Sequence, residues 1–88
     1  MYEVYGAHWC GGCKTIRILL TERDIPYTYH EIPAGTAGYD LLEEVSGRRA
    51  APYIVGFPNA QAAAEHIKGS GLPTRPITQD EMDDIHYG

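Results

Sequence analysis

Both cysteines of this 88-residue chain fall in one tetrapeptide, Cys10-Gly11-Gly12-Cys13. Its neighbours leave few folds open. Upstream, Tyr2-Glu3-Val4-Tyr5 is an aromatic and β-branched run of strand type, closed by Gly6. Downstream, Ile16, Leu19, Leu20 and Arg23 repeat at three- and four-residue spacing, with Ile18 widening the apolar stripe. That pattern predicts a helix over 14–23, which Pro26 stops. The dithiol therefore sits at a strand-to-helix junction.

The rest of the chain continues the alternation. Residues 27–32 read as a second strand, broken by Pro33, Gly35 and Gly38. A short helix over 39–45 carries Leu41, Leu42 and Val45 on its inner face and ends at Ser46-Gly47. Pro52 to Val55 read as a third short strand opened by a proline. Residues 60–68 are alanine-rich and favour helix. A loop over 69–76 follows, and Thr78-Gln79-Asp80-Glu81 has capping-box spacing for a last helix through Ile85. Strands alternating with helices predict an α/β domain around a mixed sheet.

Length allows a single core. The division read from the chain is one domain over 1–68 and a tail over 69–88 with a short helix. A net charge of −5 opposes nucleic acid as a partner, because phosphate binding needs a basic face. No apolar run approaches the roughly 20 residues of a membrane span. Residues 1–5 lack the basic-then-apolar pattern of a secretory leader. Secreted disulfide scaffolds spread four or more cysteines along the chain, so one close pair points to redox or metal chemistry in a reducing compartment. The expected location is cytoplasmic, or the host cytoplasm for a phage-encoded chain.

A helix amino terminus supplies unpaired N–H groups and a positive dipole end. Cys10, at the helix start, gains both, and thiolates so placed have pKa values lowered to about 3.5–7.5. Cys13 lies within the first turn. Cys10 is then the attacking sulfur and Cys13 the resolving one. Gly11 and Gly12 remove bulk beside the reactive sulfur and let a second backbone approach. The competing reading is half of a structural zinc site, with His8 as a third ligand. Structural zinc takes four ligands, and His30, His66 and His86 have no ligand spacing, so no metal is expected.

The chain resembles the glutaredoxin family of the thioredoxin superfamily over about residues 2–68. The resemblance rests on the strand–C-x-x-C–helix order and on Ser46-Gly47-Arg48-Arg49-Ala50-Ala51-Pro52-Tyr53-Ile54, which is similar to the family's S-G-R-x-x-x-P-x-I segment. Arg17 also falls where the family often carries a basic residue. Trp9-Cys10-Gly11-Gly12-Cys13-Lys14 is closer to thioredoxin's W-C-G-P-C-K, but thioredoxin's buried acidic proton acceptor falls on Val4 here. Small phage and bacterial hydrogen donors for ribonucleotide reductase mix these features similarly.

The resemblance implies a three-layer α/β/α thioredoxin-like fold around a small mixed sheet, with the final strand shortened or missing. It implies that Pro52 is a cis-proline facing the dithiol and that the Ala51 backbone pairs with substrate or glutathione. Trp9, Gly11, Gly12 and Arg48 complete the implied binding surface. The implied function is dithiol–disulfide exchange on protein or glutathione mixed disulfides. Glutathione is the implied co-substrate, and no tightly bound cofactor is expected. Ribonucleotide reductase is one implied target, glutathione or a thioredoxin-type reductase the donor, and a monomer the implied state. Family members with a small residue after the first cysteine hold a [2Fe–2S] cluster across a dimer, and Gly11 is compatible with that. The family's Gly-Gly-acidic grip on the glutathione amine is incomplete. Gly56 stands where the first glycine would be, and the acidic residue is absent.

Other residues carry two readings each. Trp9 is either a flat contact for a partner or a cover for the helix end. His8 either serves the thiolate or is solvated. Lys14 either depresses the Cys10 pKa or points to water. Arg48 and Arg49 either attract carboxylates or line a solvated loop. Tyr5 and Tyr53 either border the groove or pack as half-buried strand residues. The acidic run Asp80, Glu81, Asp83 and Asp84 is either a solvated helix face or a docking surface.

Overall fold

The structure, a computed structural model, describes residues 1–87. Strand β1 (Tyr2–Gly6) leads into helix α1 (Gly11–Thr21), then β2 (Tyr27–Glu31), α2 (Thr36–Ser46), β3 (Tyr53–Ile54), α3 (Ala60–Lys68) and α4 (Gln79–Tyr87). The sheet order is β2-β1-β3. β1 runs parallel to β2, pairing Tyr2 with Tyr27 and Gly6 with Glu31. It runs antiparallel to β3, pairing Val4 with Ile54 and Tyr5 with Tyr53.

Strand alternation divides the two faces. Val4 and Ile54 point to one side and are buried with Ile16, Leu19 and Leu20 of α1 and Ala63 and Ile67 of α3. Tyr5 and Tyr53 point to the other and pack beside buried Ala7, Ile32 and Leu42 of α2. The result is three layers, with α1 and α3 on one face and α2 on the other. Among the described residues the sheet has three strands, so the final strand is missing rather than shortened.

Local chemistry explains most boundaries. Gly47 closes α2 in the left-handed region at φ 78°, where a β-carbon is disfavoured. Asn59 caps α3 by accepting the Ala62 N–H at 2.8 Å. Helix α1 begins at Gly11, three residues before the start that the apolar pattern predicts, because the cap is Cys10 itself. It ends before Arg23, where Asp24 turns the chain at φ 54°. The third strand is two residues rather than four, since the Phe57 N–H bonds back to the Ile54 carbonyl around Gly56 at φ 93°.

Residues 69–87 are held against the rest of the chain. The capping box forms as its spacing predicts: the Glu81 N–H donates to the Thr78 hydroxyl at 3.2 Å, and the Thr78 N–H donates to Glu81 Oε1 at 2.9 Å. The Arg75 guanidinium reaches both Glu81 and Asp24, and its N–H bonds the Glu22 carbonyl at the end of α1. Arg75 holds the Glu81 carboxyl at about 2, well below the usual carboxylate range. Helix α4 then packs on α1 through buried Ile85. Thr78→Ala removes one half of the reciprocal cap and is expected to lower stability by about 1 kcal/mol, read by urea denaturation.

Candidate functional site

Cys10 is the N-cap of α1, with extended backbone, and its sulfur accepts the Cys13 N–H at 3.3 Å. The Cys10 N–H bonds the Ala7 carbonyl, and its own carbonyl accepts from Lys14, so the turn is tied on both sides. Cys10 is partly exposed and Cys13 fully buried, both as free thiols. Burial pushes the Cys13 thiol up to about 12, assisted by its side-chain hydrogen bond to Cys10 and the charges of Cys10 and Glu31, against a backbone hydrogen bond from Ala7. The two sulfurs are therefore unlike: one open at a helix end, the other a proton-retaining thiol beneath it.

Gly6 of β1 makes room for the inner sulfur. A β-carbon there would lie 2.7 Å from Cys13 Sγ and 2.9 Å from Cys13 Cβ. Both are too short for contact, and the Cys13 side chain is confined. Gly6→Ala is expected to cost about 1–3 kcal/mol through this overpacking. A lowered urea midpoint together with faster alkylation of Cys13 checks it.

The peptide bond between Ala51 and Pro52 is cis. Pro52 Cδ lies 3.3 Å from where a Gly12 side chain would begin, so the proline faces the dithiol turn. Nothing lies within 4 Å of the corresponding point on Gly11, which leaves that side open. Cys10 and Ala51 pack against the same buried cluster. Trp9 is 44% exposed on the rim. A cleft of about 480 Å³ continues from Pro52 between Ser46, Arg48, Phe57 and Asn59.

Not every expected residue converges here. The Arg48 guanidinium lines the cleft but donates to the Pro58 carbonyl. Arg49 is paired with Asp40 and Glu43 of α2. His8 is held by Glu31, through its N–H at 3.2 Å and its ring at 3.4 Å. Tyr5 stacks on His30 with ring centroids 4.4 Å apart, and it packs with Tyr53 on the α2 face. Arg17 lies buried over the Tyr29 ring, 3.9 Å from its centroid, and bonds the Tyr27 hydroxyl and Asp84. Asp84, read as part of a solvated face, is thus tied to α1 at 2.8 Å. Among the described residues, no group of three or more His, Cys, Asp or Glu is arranged to hold a metal ion.

Two residues beside Cys13 escaped the sequence reading. Tyr29 and Glu31 share the face of β2 that looks toward α1. The Tyr29 hydroxyl donates to Glu31 Oε1 at 3.0 Å, and burial followed by that bond raises its pKa. The signal was period-two alternation in Tyr27-Thr28-Tyr29-His30-Glu31, but facing Cys13 also needs the β1–β2 register.

The architecture and the cis-proline beside a helix-capping cysteine define a thioredoxin-like domain. Residues 4–71 match the family of glutathione S-transferase N-terminal domains, and the chain belongs to that family. Among solved structures it is similar to the Leishmania TDR1 protein, described as a unique trimeric glutathione transferase, at TM-score 0.68 and 16% identity. That alignment covers 91% of this chain and 20% of the other, so the chain spans about a fifth of that protein's length. No curated protein matches. Among the described residues no helix is long and apolar enough to cross a membrane.

Proposed function

We propose that the protein is a glutathione-linked dithiol–disulfide oxidoreductase. The Cys10 thiolate attacks a disulfide of a protein or of glutathione, forming a mixed disulfide and releasing one thiolate. Cys13 then attacks the Cys10 sulfur, closing the intramolecular disulfide and releasing the second thiolate. Two electrons pass to the target, and two molecules of glutathione return them to the protein. The observation that carries this reading is the unequal sulfur pair, with Cys10 open at a helix N-cap and Cys13 buried under it. Glutathione lies along Ala51 and cis-Pro52, pairing with the Ala51 backbone in the manner of an added strand, with Trp9 and Gly11 on the open side. The family match supports glutathione as the small thiol.

The test is NADPH-coupled reduction of a glutathione mixed disulfide, run once with glutathione and its reductase and once with thioredoxin reductase. Turnover in the first assay is the expected result. Turnover only in the second makes the protein a thioredoxin-type reductant, and turnover in neither overturns the reading. Ribonucleotide reductase is the protein target to assay next. The family match also favours a second reading, transfer of glutathione to an electrophile. Conjugation of glutathione to an aryl halide tests it.

A further inference from the structure

Strand β2 ends the sheet, and half of its backbone groups have no partner in the chain. The Ile32 N–H bonds the Gly6 carbonyl on one side of β1, and the Val55 N–H bonds the Glu3 carbonyl on the other. Along a strand, the N–H and C=O of one residue point to the same side, and successive residues alternate. Thr28 and His30, in phase with Ile32, therefore turn their backbone groups to β1. Tyr27, Tyr29 and Glu31 turn theirs outward. Among the described residues no backbone bond from these three reaches another element. None of the five β2 residues is buried, whereas central β1 buries Val4 and Gly6.

Proteins that work as single copies blunt such strands with lysine, proline, a bulge or a covering loop. Strand β2 reads Tyr-Thr-Tyr-His-Glu, with neither lysine nor proline, and it pairs with β1 without a bulge. We propose that β2 pairs antiparallel with β2 of a second copy, about a two-fold axis through Tyr29. This is independent of the dithiol chemistry, and it differs from the single copy that the glutaredoxin resemblance implies.

The strand is complementary to itself in this register. Tyr29 meets Tyr29 of the partner subunit, Tyr27 meets the partner's Glu31, and Glu31 meets the partner's Tyr27. All three residues face outward, so each pair exchanges both of its backbone hydrogen bonds. An axis through Thr28 or His30 leaves only two such pairs. An axis through Glu31 sets one carboxylate against another. With the axis at Tyr29 no like charges are opposed: phenol faces carboxylate on the α1 side, and Thr28 faces the partner's His30 on the other. The pairing uses the same strand on both copies and closes at two. Two five-residue strands bury less than the roughly 1,200–2,000 Å² of a stable interface, so paired and single copies exchange. A net charge of −5 on each copy opposes the pairing, and salt relieves that repulsion.

Amide hydrogen exchange, read residue by residue by NMR on the reduced protein at about 0.5 M salt, tests the pairing. From about 10 µM to about 1 mM protein, the amides of Tyr27, Tyr29 and Glu31 are expected to slow about tenfold. Those of Thr28 and His30, already bonded to β1, should keep one rate. Sedimentation over the same range should show the mass moving from one chain toward two. A cross-link tests the register. Thr28→Cys mixed with His30→Cys, each in a Cys10→Ser/Cys13→Ser background, should join on oxidation, since that pair brings its Cα atoms to about 4.5 Å. Either variant alone sets its cysteines diagonally, about 7–8 Å apart, and should not join. Unchanged exchange at Tyr27, Tyr29 and Glu31 overturns the proposal, even if the mass rises, because the copies then meet through another surface. Slowed amides without the mixed cross-link place the strands in a different register and overturn it as well.

Discussion

Cys10→Ser is expected to lower disulfide reduction by a factor of roughly 10³ or more, because no other group replaces the attacking sulfur. Cys13→Ser should behave differently. It retains the exposed sulfur at the helix cap and still forms a mixed disulfide, which then accumulates because the buried partner is gone. Glutathione mixed disulfides stay reducible in that variant, since a second glutathione can attack from solvent, whereas protein disulfides that need intramolecular resolution do not. Mass spectrometry of the trapped adduct, beside the NADPH-coupled assay, separates the two variants. Equal loss in both would mean that the sulfurs act as a unit rather than in sequence. Activity unchanged in Cys10→Ser would remove the dithiol from the chemistry.

The second large effect is on stability. Arg17 is 4% exposed, a rare position for a guanidinium. Burial opposes its charge, but hydrogen bonding to Tyr27 and the nearby Tyr27, Tyr29 and Asp84 outweigh it, and its pKa moves up. Arg17→Ala removes the bonds to the Tyr27 hydroxyl and to the Asp84 carbonyl and carboxylate, and leaves space beneath Tyr29. The expected loss is about 3 kcal/mol, combining charged hydrogen bonds with an unfilled site. Asp84→Ala should cost only about 1 kcal/mol, because that carboxylate is 67% exposed and screened by water. Urea titration measures both. Faster proteolysis within 69–78 in Arg17→Ala would locate the loss at the junction between the domain and α4.

These cases mark what could be read from the residues alone. The dithiol, its helix and the strand before it are local patterns, and local rules found them. The Thr78–Glu81 box and the Gly47 stop were legible for the same reason: cap chemistry is settled within four residues. Apolar periodicity alone starts α1 late, because glycines carry none, whereas the C-x-x-C spacing had put Cys10 at the helix start, where the cap is found. Arg17 and Asp84 lie 67 residues apart, and no spacing rule joins them. Tyr29 and Glu31 have a similar history. Their place opposite β1 on the α1 face depends on which residue of β2 aligns with Gly6, and pairing register is a tertiary outcome. Arg48 was read as either a carboxylate contact or part of a solvated loop, and its bond to the Pro58 carbonyl was not legible because the turn that brings them together is irregular.

The sheet's two borders are unequal. On one flank β3 offers only two residues, and the turn after it already occupies the Ile54 carbonyl. On the other, β2 presents five residues in sequence. Beyond the single backbone contact proposed at Ala51, a foreign extended segment finds almost no backbone to copy along the short border and a full template along the long one. Any edge-to-edge association of such molecules is thereby directed to β2, on the flank of the sheet away from cis-Pro52.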